Sequence, residues 1–343
     1  MDDTLRSNTL QAMLVFAGED GREEALFGDS YGRARQVAGS FIASNASTCI
    51  YLEFPLMGDP FLDLTFLYSK MAPGSRVDHP AAAATEPVFD WFADACVEHD
   101  NICFGFELDT KEAELAKPAI HFQPREHTQL VRPFFEAVGE PERADLYLDM
   151  AERMPKGWAL SFFGMFRGRP DAPLRVCGYL DSATREACAR DRQGLARVFD
   201  RVGFEAYDEK MLEQARAFFA AAPASMDFQF DVYPDGSLGD TFALDVQFGI
   251  EQPEDVPESF ETGGASRVMR LFEEMGVADG RRSLVPGLAF ARGIELPGED
   301  GEAERAGLSL APRWAKARWR GGVIQPAKLY ADACVTVFDT PAT

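Results

Sequence analysis

Met226-Asp-Phe-Gln-Phe-Asp-Val-Tyr233, the turn Pro234-Asp-Gly-Ser237 and Thr241-Phe-Ala-Leu-Asp-Val-Gln-Phe248 make the cleanest strand pair in the chain. Apolar and polar residues alternate strictly, which is the pattern of a strand with one buried face. One face carries Phe228, Phe230, Val232, Phe242, Leu244, Val246 and Phe248, and the other Asp227, Gln229, Asp231, Tyr233, Asp245 and Gln247. Pro, Asp and Gly between them set up a tight reversal, so the two strands are antiparallel neighbours. Asp235-Gly236 is a turn signal here and not a calcium loop, because the further acidic ligands are missing.

Four more pairs follow the same rule. Cys49–Phe54 pairs with Phe61–Phe66 across Gly58, Asp59 and Pro60. Ile102–Leu108 pairs with Ala119–Gln123, and Trp158–Phe166 with Leu174–Leu180 around Gly168, Pro170 and Asp171. Trp314–Arg320 returns through Gly321-Gly322 into Ala327–Val335. Between the pairs lie amphipathic helical stretches: Pro80–His99, Leu130–Met154 broken near Gly139-Glu-Pro141, Ser182–Val202, Glu209–Ala221 and Ser266–Met275. The unit is helix, helix, strand, strand, and it recurs about five times at a spacing of roughly 50–70 residues. Approximate units are 1–70, 71–124, 125–181, 182–250 and 251–343 of a single domain. Strands that come two at a time across short turns exclude a TIM barrel or a Rossmann sheet, whose parallel strands need a long crossover after each one.

Parity gives each hairpin one apolar face and one face of charged and aromatic residues. Lys316, Arg318 and Arg320 with Lys328, Tyr330 and Asp332 lie opposite Ala315, Ala317 and Trp319 with Leu329, Ala331 and Ala333. The helices can cover the apolar faces, and the polar faces must then meet water. A roughly ten-stranded antiparallel β-barrel of the α+β class, with a polar lumen and an outer ring of helices, meets both demands and leaves no edge unpaired. An open sheet with a solvated polar face is the simpler alternative.

Over 343 residues, 34 Lys and Arg stand against 56 Asp and Glu, a net charge of −22. That sign argues against binding nucleic acid or an anionic membrane, both of which need a basic surface. No apolar run is long enough to cross a bilayer, and the start of the chain is acidic where a secretory signal would be basic. Cys49, Cys96, Cys103, Cys177, Cys188 and Cys334 form no CxxC pair and no zinc spacing. The expectation is a cytoplasmic protein with reduced, mostly buried thiols. Leu296–Glu304, with Pro297-Gly-Glu-Asp-Gly301, reads as an exposed acidic loop, and His79 beside Pro80 as a loop residue.

In order of elements, nearly the whole chain resembles the ABBA aromatic prenyltransferases, in which repeated ααββ units close into an antiparallel barrel. The resemblance implies transfer of a prenyl group from an allylic diphosphate to an aromatic small molecule or peptide. Lys328-Leu-Tyr330 is similar to the family's Lys-x-Tyr strand. Arg175, Tyr179, Lys316, Arg318, Lys328 and Tyr330 would hold and shield the diphosphate, and Glu53 on the first strand would orient or deprotonate the acceptor. His121, Phe163, Asp227, Gln229, Asp231 and Asp245 would line the lumen around the acceptor. No cofactor is required, although a Mg²⁺ could bridge diphosphate and acids. Glu53, Asp63, Glu107, Asp109, Asp227, Asp231 and Asp245 depart from the pattern, because so many lumen acids repel a diphosphate. They point instead to a non-enzymatic barrel that binds a cationic small molecule or peptide, or to other chemistry on the same scaffold. Convergence of Arg175, Lys316, Arg318 and Lys328 in one pocket favours the first reading. Should they instead pair off with Asp227, Asp231 and Asp245, that reading should be dropped.

Overall fold

The computed structural model describes residues 3–41, 47–75, 77, 86–111, 118–167, 172–297 and 303–338. Two helices, α1 (Asp3–Gly18) and α2 (Ser30–Ala38), precede the hairpin β1 (Ser47–Pro55) and β2 (Asp63–Ser69). Helix α3 (Glu86–Glu98) leads into β3 (Cys103–Leu108) and β4 (Ala119–Gln123). Helices α4 (Val131–Ala137) and α5 (Arg143–Arg153) lead into β5 (Trp158–Met165) and β6 (Leu174–Leu180). Next come α6 (Ser182–Arg190), α7 (Arg192–Val202) and α8 (Glu209–Ala221), then β7 (Met226–Val232) and β8 (Leu238–Gln247). Helices α9 (Val256–Glu261) and α10 (Gly264–Glu274) precede β9 (Phe290–Pro297), β10 (Ala303–Arg320), β11 (Val323–Ile324) and β12 (Lys328–Phe338).

Each strand from β1 to β8 pairs antiparallel with the next. The ring closes through the last unit. Trp314–Arg320 of β10 pairs with Thr241–Gln247 of β8, the same strand pairs with β12, and β12 pairs with β1 from Ile50↔Ala333 to Pro55↔Lys328. The result is a closed antiparallel barrel of ten strands. Strand β9 lies off the ring, against the first half of β10. The turn into β11 is local chemistry: Gly321 and Gly322 both adopt positive φ, at 55° and 77°, as a two-residue reversal between twisted strands requires.

The apolar faces turn outward, and the core lies between barrel and helices. Phe228, Phe230, Val232, Phe242, Leu244, Val246 and Phe248 are all buried, each burial stabilising the fold by about 1.5–3 kcal/mol. Trp319, fully buried on the outer face of β10, donates from Nε1 to Gln214 of α8 at 2.9 Å. Inside the ring the same strands present their polar side chains. No helix among the described residues is long and apolar enough to cross a membrane.

Several expectations are corrected. Ser182–Val202 is two helices, because the Asp191 side chain accepts from Gln193 N and starts a second helix there. Leu296 and Pro297 end β9, and Ala303 and Glu304 begin β10, so the ends of the acidic stretch are strand and not loop. Two of the six free thiols, Cys177 and Cys188, are buried, whereas Cys334 is exposed and Cys49, Cys96 and Cys103 are intermediate. Phe163 does not line the lumen. A bulge between Leu160 and Phe162 shifts the parity of β5, turning Phe163 outward against Phe134, Phe135 and Tyr147 and bringing Phe162 inward. His79, Pro80, the Gly168–Asp171 turn and residues 298–302 lie outside the described residues.

Candidate functional site

Two adjoining cavities sort the inward side chains along the lumen. Lys328 and Arg318 lie toward one end of the lumen with Glu53, Glu107, Arg175 and Asp231. Trp314, Tyr51, Leu67, Phe162, Gln123, Gln247 and Asp227 lie toward the other. Lys316, Tyr330, His121, Cys177, Gln229 and Asp245 occupy the level between.

At the basic end Arg175, Lys316, Arg318 and Lys328, from β6, β10 and β12, line one small cavity of about 30 Å³ with Glu53, Glu107, Gln229, Asp231, Thr241 and Tyr330. Three of the four cations also have an acid. Arg175 Nε lies 3.0 Å from Asp231 Oδ1, Lys316 Nζ lies 3.7 Å from Asp245 Oδ1, and Lys328 donates to Glu53. Convergence and pairing therefore occur together. Arg318 has no ion pair among the described residues; burial and the like charge of Arg175 lower its pKa. Burial works to raise the Glu53 pKa, but the charges of Lys328 and Lys316 and the Lys328 hydrogen bond together outweigh it and hold the carboxyl below its usual range. Asp63, opposite Glu53 across β1 and β2, takes the other course. Burial, then the Glu53 charge, push it up to about 8 although Thr110 N donates to it at 3.0 Å.

His121 sits mid-lumen with Nε2 3.1 Å from Glu107 Oε2. Its neighbours across both adjacent strands are glycines, Gly105 and Gly164. A Cβ on Gly164 would come within 2.9 Å of the imidazole, so that glycine is what lets the ring lie across β5. Burial works upward on Glu107, but the hydrogen bond and charge of His121, with Arg175 and Lys328 beyond, hold it well below the usual carboxylate range.

The other half is a chamber of about 280 Å³. Trp314 stacks on Tyr330 with centroids 5.0 Å apart, and Tyr51 meets the Trp314 ring edge-on at 4.8 Å. Lys316 Nζ stands 4.9 Å from the centre of the Tyr330 ring. Asp227 faces Asp245 directly across β7 and β8. Burial, then the Asp245 charge, push Asp227 up to about 7.

Of the residues singled out from sequence, Glu53, His121, Arg175, Asp227, Gln229, Asp245, Lys316 and Tyr330 line this chamber, and Asp231, Arg318 and Lys328 join several of them at the basic end. Tyr179 shares a face with Arg175 but is half exposed, four residues and about 13 Å further along the strand. It does not meet the cations. Trp314, Tyr51, Phe162 and Gly164 are contributors that the sequence reading did not single out. Trp314 has the parity of Lys316, and a glycine inside a strand marks a close approach, so both signals were present.

No protein-family model matches the chain, and no curated protein matches it. Among solved structures, the chain aligns with 5-dimethylallyltryptophan synthase from Streptomyces coelicolor at 13% identity, covering 97% of each chain with a TM-score of 0.48. It aligns with the apo form of the prenyltransferase PriB at 13% identity and a TM-score of 0.47, covering 96% of this chain and 95% of the other. Closure of the ring stands on the strand register itself.

Proposed function

We propose that the barrel transfers a prenyl group from an allylic diphosphate to an aromatic acceptor. The observation that carries this reading is the convergence of Arg175, Lys316, Arg318 and Lys328 on one cavity that opens beside an aromatic chamber. Ionisation breaks the allylic C–O bond, and the electron pair leaves with the diphosphate. Fixed cations stabilise that departing charge without reorganising. Arg318, which forms no ion pair among the described residues, is the group with most to gain from it. The faces of Tyr330 and Trp314 border the gap where the allylic cation would form, and aromatic faces attract cations while excluding water. The cation then bonds to an acceptor ring carbon, and that carbon loses its proton.

His121 is a better proton acceptor than Glu53. Glu53 is committed to Lys328 and held in its ionised form, which makes it a weak base. A carboxylate only accepts, so in the neutral ring His121 Nε2 carries the proton toward Glu107 and Nδ1 has the lone pair. Among the described residues no three His, Cys, Asp or Glu side chains are arranged to hold a metal ion. No step here is assigned to Mg²⁺.

The binding-barrel reading has its own observation. Arg175 is already neutralised by Asp231 and Lys316 by Asp245, so a cationic ligand would meet less repulsion than the count of lysines and arginines suggests. Thermal shift with dimethylallyl and geranyl diphosphate, with and without Mg²⁺, separates the two. A rise in Tm that Arg318→Ala abolishes is the expected result. No shift with any allylic diphosphate, beside a clear shift with cationic peptides, overturns transfer.

A further inference from the structure

We propose that Asp227 and Asp245 form a subsite for the protonated amine of an aromatic ligand that carries no carboxylate, the arylalkylamine class. The two carboxyl groups project side by side from β7 and β8 into the aromatic chamber. Like charges directly opposite on a sheet repel each other, and a cation between them removes the repulsion.

One oxygen shows that the protein's own side chains leave a hydrogen-bond donor unsupplied. Asp245 is 5% exposed, and its Oδ2 accepts from Gln229 Nε2 at 2.7 Å. Among the described residues its Oδ1 accepts no hydrogen bond; Lys316 Nζ, its ion-pair partner, stands 3.7 Å away, too far to donate one. A buried acceptor without a donor is costly, and an ammonium group in the chamber supplies the donor. Lys316 serves two carboxyl groups and cannot neutralise both.

The surroundings specify the rest of the ligand. Trp314 lies opposite Gln247 across β10 and β8, and Gln247 Nε2 donates to Asp227 Oδ2 at 3.3 Å. An aromatic wall and a pair of acids therefore adjoin, which suits a flat ring with a short cationic arm. Among the described residues that line the chamber, an amino acid's carboxylate meets only cations already engaged, Arg175 by Asp231 and Lys316 by Asp245. Arg313 is held by Asp332 and by the carbonyls of Ile250 and Glu251. The groups facing Asp227 are Asp245 and Gln247 on β8, Lys316 on β10 and Tyr179 on β6. An amine stays protonated well above neutrality, so binding strengthens as Asp227 ionises through pH 7.

The subsite rests on the chamber's geometry and not on prenyl transfer, so binding measured without any diphosphate tests it separately. Calorimetry with tryptamine, phenethylamine, tryptophan and indole-3-propionate at pH 6 and pH 8 is the experiment. The expected result is at least tenfold tighter binding of one of the amines than of tryptophan, no binding of the propionate, and tighter amine binding at pH 8. Asp227→Asn, which keeps the acceptor for Gln247 and relieves a repulsion, should fold normally and lose at least tenfold in amine affinity. Equal binding of amine and amino acid, unchanged affinity in Asp227→Asn, or no binding of either amine overturns the proposal.

Discussion

The two ends of the lumen are built by the same ten strands and treat charge in opposite ways. At the basic end cations and acids are already matched, Arg175 with Asp231 and Lys328 with Glu53. In the aromatic chamber two acids face each other, and among the described residues Lys316, 3.7 Å from Asp245, is the lysine that lines it. A pre-paired network holds its groups in place and gives up little when a ligand arrives. An unbalanced pair stores an unmet demand for charge. The net −22 of the chain is thus partly an interior feature, and the objection that lumen acids raise against a diphosphate applies unevenly. Asp63, at about 8, is largely protonated at neutral pH and does not add to the negative charge at the basic end.

The largest effect should come from breaking the basic network. Lys328→Met leaves the Glu53 carboxyl, 3% exposed, without its cation. Stranding a buried charge typically costs about 3–5 kcal/mol, and chemical denaturation would read it. Adding Glu53→Gln to that variant should restore most of the loss. A single-variant loss under about 1 kcal/mol would mean that the pair is solvated and that the contrast between the two ends is weaker than the geometry implies. A smaller effect is expected midway between them. Gly164→Ala places a methyl 2.9 Å from the His121 ring, an overpacking that costs about 1–3 kcal/mol. It should also push the imidazole off Glu107, visible as a changed His121 ring signal by NMR. An unchanged signal would show that the glycine is not what seats the ring.

Parity carried most of the lumen, and it failed where the backbone departs from regular pleating. Asp227, Gln229 and Asp245 could be placed inside because β7 and β8 alternate cleanly there, and Asp231 keeps the same face although the register shifts between Phe230 and Val232. Phe163 could not, because nothing in Trp158–Phe166 marks the bulge at Leu160/Phe162 in a run apolar on both faces. The break at Asp191 was legible only as an N-cap, and Arg190 and Arg192 around it suit a continuous helix equally well. Strand β9 escaped notice because it pairs outside the ring, where no second buried face enforces alternation. Which acid belongs to which cation was out of reach altogether. Lys328 and Glu53 are 275 positions apart, and only ring closure brings them together.

The finest test of the two-ended lumen is the pH dependence of stability through Asp63. Its folded pKa of about 8 lies above the unfolded value near 3.9. Between those values the folded state holds a proton that the unfolded state has released, so stability falls as pH rises. The contribution is complete below about pH 4 and lost as pH passes through 8. Because Glu53 and Lys328 share the site, the fall between pH 6 and 8 should be only about 1 kcal/mol. Asp63→Asn keeps an oxygen for the Thr110 N–H, which donates at 3.0 Å, and removes the proton. The variant should match the parent near pH 4 and exceed it increasingly up to pH 8, in paired urea titrations. Parent and variant curves that run parallel from pH 6 to 8 would mean that Asp63 ionises normally. The basic end would then carry one more negative charge than the geometry assigns it, and Arg318 alone would be too little to draw a diphosphate there.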